Sequence, residues 1–304
     1  MKIVAAAIQM PSEPRGVGAN LERADTLLRR AHSQGAELAV LPELFNTGYS
    51  MMPDYARLAE GPDGPTLCHL RQRSKQWGMA IAAGFVESDG RHLYDALAFS
   101  TADGQQAIYR KRNLVFWERF RFFPGRAPLV VRTPWGRVGF AICADMIYRR
   151  VWHGYREQID LAVVAAAWPD FADRHTGRKH WLFGHVGPLS GAIPAKVALD
   201  LGVPVVFANQ CGETRTTIPV LRQHISDRFA GLSSICDGRH GPPIVAGTAE
   251  EVLVSSVTIH SARGLKSCRS TFLSESGACS SGSARLWSTS SEDGSTGAPV
   301  AAAP

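Results

Sequence analysis

The chain has 304 residues, 45% of them apolar and 20% charged, with a formal net charge of +6. Such a composition is ordinary for a globular protein, long enough for one large domain or two smaller ones, and it excludes a cysteine-dense disulfide scaffold. Its positive charge is mild and spread out, and the densest basic stretch, Arg110 to Arg121, is broken by Trp117, Glu118 and phenylalanines. A packed loop explains that stretch better than a nucleic-acid surface.

In chain order, "KIVAAAIQM" predicts a strand. Residues 19–33 place Leu21, Ala24, Leu27, Leu28 and Ala31 on one helical face with arginines opposite, and Gly35 stops the helix. The apolar "ELAVLPE" follows as a second strand, so this is a strand–helix–strand unit of crossover length. A helix over 64–77 leads to the strand "MAIAAGFVES" and then to "LYDALAFSTADGQQAIYRK", two strands joined by an Asp-Gly turn. "APLVVRTPWGRVGFAIC" reads as a further hairpin. Helices over 147–157 and 190–201 precede the strands "DLAVVAAAW" and "VPVVFANQ", and "GLSSICD" and "EVLVSSVTI" close the series. Continuous apolar strands beside hairpins imply mixed sheets in an α/β layered fold.

Composition changes near residue 262, and Ser, Gly and Ala dominate from Ser267 to Pro304. A domain over 1–262 and a disordered or loosely attached tail over 263–304 are expected, because the tail buries too little surface to offset its ordering entropy. The six cysteines (68, 143, 211, 236, 268, 279) form no CxxC pair and no metal-type spacing with histidine, and His153, His175, His180 and His185 form no ligand set either. The start lacks the length and cleavage site of a signal peptide, and no apolar run approaches the roughly 20 residues of a membrane span. A cytoplasmic, reducing setting is expected, with no membrane and no nucleic acid as partner.

Polar residues at the carboxyl ends of apolar strands carry weight, because ligands of α/β sheets gather there. Glu43 ends "AVLPE", Lys111 ends "AIYRK" and Cys143 ends "VGFAIC". Each alone has a plainer reading: a turn carboxylate, a solvated strand end and a buried thiol acting as small core filler. Only a fold that gathers three separate strand ends makes them one site.

In order and spacing, "LPELFNTGY", "YRKRNL" with "ERFRFFPG", and "VGFAICADM" resemble the signature segments of the nitrilase superfamily of carbon–nitrogen hydrolases. "AAAIQM", "AAAWP", "GVPVVFANQCG" and "FAGLSSICD" support the resemblance, which covers roughly residues 1–260. It implies a four-layer α-β-β-α sandwich with two mixed sheets, a Glu43–Lys111–Cys143 catalytic set, no metal or organic cofactor, and a homodimer or higher homo-oligomer. It also makes Glu118 the family's second glutamate, holding Lys111 and positioning substrate. The chemistry suits these residue types: a thiol needs a base and a nearby cation to attack an amide carbon. Glu43 would shuttle the proton, while Lys111 and the backbone N–H of Ala144 would stabilise the oxyanion. Tyr49 and Trp168 are expected as supporting wall or core residues, and Cys211 as pocket lining.

Ala144-Asp145 after the cysteine resembles the amide-hydrolysing branches, whereas nitrile-hydrolysing members tend to carry Trp-Glu there. Met146 and Ile147 occupy the places where N-carbamoyl amino-acid hydrolases put arginines, and Asn113 stands where many relatives have histidine. The stretch 170–191 reads as a substrate lid or as a surface insertion. The expected activity is hydrolysis of a linear, non-peptide amide through a cysteine thioester. A nitrilase, or a non-catalytic scaffold on the same fold, is the alternative.

Overall fold

Apolar residues spaced two apart on strands and three or four apart on helices sort this chain into layers. In a computed structural model, residues 1–50, 54–171, 186–218, 223–239 and 241–260 are described. The first sheet runs in the order β14-β1-β2-β3-β4-β5, formed by Glu251–Thr258, Lys2–Gln9, Leu38–Val40, Ala80–Ser88, Leu93–Ser100 and Gln106–Arg110. The second runs β13-β12-β9-β8-β7-β6, formed by Ile244–Val245, Ser234–Cys236, Val205–Asn209, Leu161–Ala166, Gly136–Ile142 and Val130–Thr133. Each sheet has three central parallel strands, β1, β2 and β3 in one and β7, β8 and β9 in the other, flanked by antiparallel strands. Both sheets are therefore mixed. A separate hairpin pairs β10 (Glu213–Ile218) with β11 (Gln223–Arg228).

The two-residue period decides which side chains meet between the sheets. Ile3, Ala5, Ala7, Leu38, Val40, Leu97, Phe99 and Tyr109 join Phe140, Ile142, Val164 and Phe207 of the other sheet in one buried cluster. Their alternates Ala6, Ile8, Ala39, Ile81 and Ala83 face outward, where α1 (Val17–Ser33) and α3 (Pro65–Trp77) cover them with Leu27, Leu28, Leu67 and Leu70. On the far side, Val151 and Trp152 of α4 (Arg149–His153) and Val197 and Ala198 of α5 (Val186–Leu201) pack against the second sheet. The resulting α-β-β-α sandwich is the fold that the resemblance implied. A one-turn helix, α2 (Tyr55–Leu58), precedes α3, and the described residues all fall in one compact unit, Met1–Leu265.

The helix expected over 147–157 is a correction. The chain instead forms a 3-10 turn over Cys143–Ile147, then α4, and leaves the helix at Gly154. Tyr155 and Ile159 turn inward instead, because a Cβ at Gly139 of β7 would lie only 2.8 Å from Ile159 and 3.0 Å from Tyr155. The bare glycine accepts those side chains, and packing overrides the helical pattern. The strand read over "GLSSICD" is confined to Ser234–Cys236. The tail over 263–304, His175, His180, His185 and most of the 170–191 stretch lie outside the described residues. Among those described, no helix is long and apolar enough to cross a membrane.

Candidate active site

Glu43, Lys111 and Cys143 each follow a strand that ends between the two sheets, after β2, β5 and β7. Lys111 continues the inward phase of Tyr109, so its ammonium enters the intersheet space. It is fully buried, and its Nζ lies 2.5 Å from Glu43 Oε1, 2.7 Å from Glu118 Oε1 and 3.1 Å from Asp95 Oδ2. The three carboxylates are themselves fully buried. Their oxygens lie within 4.8 Å of one another, a grouping that suits a metal ion in general. The Lys111 ammonium already sits against all three.

Glu118 arrives on a 3-10 turn, Phe116–Phe120, that follows the lysine strand. Its Oε1 also accepts from the Tyr49 hydroxyl at 2.7 Å, and its Oε2 accepts from the Val115 N–H at 2.9 Å. Tyr49 thus touches the cluster through Glu118. Glu43 is held from the opposite sheet: Ala167 N–H donates to Oε2 at 2.7 Å, and the Gln210 side-chain amide donates to its backbone carbonyl at 2.7 Å. The loop bearing Glu43 presses on β3 so closely that a Cβ at Gly84 would fall 2.5 Å from the Glu43 Cα. Only glycine admits that approach. Leu44 next to it is held at φ +47° and Cys143 at φ +45°, left-handed conformations costly for side chains with a Cβ. Backbone strain of this kind concentrates where a side chain is held in one direction by its surroundings.

Asp145 ties the thiol's turn to the lysine's loop. Its carboxylate accepts from Tyr109 Oη at 2.8 Å, Asn113 N at 2.8 Å, Asn113 Nδ2 at 2.7 Å and Arg112 N at 3.2 Å. Asn113 therefore braces the turn that carries Cys143, and Arg150 in turn donates to the Asn113 Oδ1. Ala144 sits at the start of the 3-10 turn, where backbone N–H groups precede the first internal bond. Trp168 is buried, but its polar groups serve the scaffold: its backbone N–H donates to Asn209 and its indole N–H to the Val186 carbonyl. Cys211 stands apart from the carboxylates. Burial pushes it up to about 12, and its charged neighbours are Glu250 and Arg23.

The electrostatics follow from burial. Burial by itself would lower Lys111, but Glu118, Glu43 and Asp95 more than reverse this and hold it well above the usual lysine value. Burial raises Glu118 while Lys111 opposes the rise. Burial pushes the Cys143 thiol well up, Glu43 adds to that, and Lys111 and the Ala167 N–H work against it. Burial and Glu43 thus favour the protonated thiol over the thiolate, with the Glu43 carboxylate and the Lys111 ammonium close by.

Sequence reasoning missed Asp95, Gly84, Ala167 and Gln210. Asp95 had a signal: it shares the inward phase of Leu97 and Phe99 on β4, and a carboxylate among core residues requires a cation. The register then sets it beside Lys111, one step beyond the Ala96–Arg110 pair.

The profile of the carbon–nitrogen hydrolase family matches residues 4–266. A nitrilase of Pyrococcus abyssi is 34% identical over 147 residues, 47% of this chain and 56% of that protein. An omega-amidase of Danio rerio is 30% identical over 173 residues, 53% of this chain and 61% of that protein. The aligned segments thus span between half and two thirds of these relatives' lengths. In fold, the chain superposes on a mutant of the amidase from a Nesterenkonia species with a TM-score of 0.68 and 21% identity, covering 89% of this chain and all of that one. In that structure acrylamide has added at the active-site cysteine. With the family profile matched over most of its length and the fold in agreement, this chain belongs to the carbon–nitrogen hydrolase family of the nitrilase superfamily.

Proposed function

We propose that the protein hydrolyses a linear, non-peptide amide through a thioester on Cys143. The observation that carries this reading is the buried Lys111 ammonium held between Glu43 and Glu118 beside a thiol at the end of β7. As Sγ attacks the amide carbon, Glu43 takes the thiol proton, the C–S bond forms and the carbonyl π pair moves to oxygen. Lys111 and the Ala144 N–H stabilise that oxyanion; losing one such donor costs about 3 kcal/mol of barrier. The intermediate collapses, the C–N bond breaks and Glu43 delivers its proton to the departing nitrogen. Glu43 then takes a proton from water as the hydroxyl adds to the thioester, and returns it to the sulfur as the C–S bond breaks. A carboxylic acid and ammonia or an amine leave.

Glu118 orients Lys111, and Tyr49 orients Glu118 through their 2.7 Å hydrogen bond. Trp168 serves as a fixed wall. The Ala144-Asp145 pair resembles the amide-hydrolysing branches, and that resemblance favours amides over nitriles. The similarity to a nitrilase keeps nitriles in the assay.

The test is ammonia release by the full chain from matched linear amides and nitriles, with intact-mass detection of an acyl adduct. Cys143→Ala is expected to abolish both turnover and adduct while leaving the unfolding midpoint near that of the wild type. Undiminished hydrolysis by that variant would overturn the mechanism. Turnover of nitriles alone selects the nitrilase reading. A chain that hydrolyses nothing in the panel, with Cys143 inert to iodoacetamide, supports the scaffold reading.

A further inference from the structure

The cluster around Lys111 holds more negative charge than the ammonium can balance. Glu43, Asp95 and Glu118 are all fully buried, as is the lysine. Were all ionised, a dry pocket would hold a net charge of minus two, which low-dielectric surroundings oppose strongly. One carboxylate is expected to retain a proton, and the hydrogen bonds identify which one.

Glu118 receives three donors: Lys111 and Tyr49 on one oxygen, and the Val115 N–H on the other. Glu43 receives Lys111 on one oxygen and the Ala167 N–H on the other. Both have the surroundings of acceptor-only carboxylates. Asp95 differs. The described residues give neither of its buried oxygens a well-aligned donor, although Lys111 Nζ lies 3.1 Å from Oδ2 and the Glu43 carboxylate is within hydrogen-bond reach. The lysine is close enough to attract it but is not aligned to donate. The groups that act on Asp95 are Lys111 after β5, Glu43 after β2, Glu118 from its 3-10 turn and Tyr55 from α2. An ionised Asp95 would be an acceptor with no donor, next to another carboxylate. A protonated Asp95 becomes a donor with Glu43 as its acceptor.

We propose that Asp95 is a positioning residue that carries a proton in the resting protein and donates it as a hydrogen bond to the Glu43 carboxylate. Burial, with Glu43 adding to it, raises Asp95 well above the usual carboxylate range, in agreement with that geometry. The role in turnover rests on the Glu43 proton shuttle proposed above; the protonation does not. The sign of the pH effect follows. Raising the pH through the Asp95 ionisation removes the donor, turns an attraction into a repulsion and places a second uncompensated charge near the thiol. Activity therefore falls on the alkaline side.

Two measurements test this on the full-length protein. The first is the infrared difference spectrum between wild type and Asp95→Asn at neutral pH. A protonated-carboxyl C=O stretch, sensitive to deuteration and lost in D95N, is expected. Its absence overturns the proposal whether or not any amide is turned over. The second is the pH profile of kcat and KM on an amide the protein hydrolyses. Asparagine still donates to Glu43 but cannot ionise, so the alkaline limb of D95N is expected at least one pH unit higher than in wild type. Asp95→Ala removes the donor and is expected to lose about 10- to 100-fold in kcat relative to D95N. An unmoved alkaline limb in D95N overturns the proposal. So does a D95A variant equal to D95N in kcat.

Discussion

The two walls of the candidate site are built on opposite principles. The first sheet and its loops carry Lys111 and the three buried carboxylates around it, Glu43, Asp95 and Glu118, whereas Asp145, the buried carboxylate in the thiol's own turn, is engaged by hydrogen bonds from the lysine's loop. The second sheet offers the sulfur itself, with small buried residues (Ala144 and Ala167), backbone N–H groups and the Trp168 indole. Lys111 offsets part of the charge of its three carboxylates within one wall, without depending on how the sheets are aligned. The reaction geometry, by contrast, depends on the few bonds that cross between them. Among them are Ala167 N–H to Glu43, Gln210 to the Glu43 carbonyl, and Tyr109, Arg112 and Asn113 to Asp145. Charge balance and alignment are thus separable properties of this fold.

The largest expected effect breaks the charged wall. Lys111→Met leaves the carboxylates without their cation and is expected to destabilise the protein by about 3–5 kcal/mol, read by urea denaturation. A loss below about 1 kcal/mol would mean that the cluster adjusts by taking up protons instead. An intermediate effect comes from misaligning the walls with the charges untouched. Gly84→Ala sets a methyl group 2.5 Å from the Glu43 Cα. It is expected to cost about 1–3 kcal/mol of stability and roughly 100-fold in kcat, because Glu43 must shift. A G84A variant with wild-type kcat would show that the position of the Glu43 backbone is not critical. The smallest effect trims the rim of the charged wall. Tyr49→Phe removes one hydrogen bond from Glu118, worth about 1 kcal/mol, and a reduction in kcat of up to roughly tenfold is expected with little change in unfolding midpoint. A large stability loss instead would place Tyr49 in the core rather than in the positioning chain.

How much of this was legible in the sequence varies with how local each signal is. The phase of Leu21, Ala24, Leu27, Leu28 and Ala31 marked α1, and unbroken apolar runs marked β3 and β8, because neighbouring residues alone set those patterns. The same reasoning failed at 147–157. Val151, Trp152 and Tyr155 look helical there, but Tyr155 leaves the helix to bond the backbone of Phe140 and Leu129. It also missed the β10–β11 hairpin, whose largely polar strands carry no apolar alternation to read.

By itself the sequence determined which chemistry was on offer: a carboxylate, an amine and a thiol, each closing an apolar run, on strands and helices whose periods implied an α/β layered fold with mixed sheets. Only the tertiary structure decided that they meet, that Asp95 meets them too, and that Asn113, Asp145 and Gly84 hold the meeting in place. The reason is physical. Side-chain period is a property of a few adjacent residues, whereas the β4–β5 register and the face-to-face packing of two sheets are contacts between residues far apart in the chain, chosen by the fold as a whole.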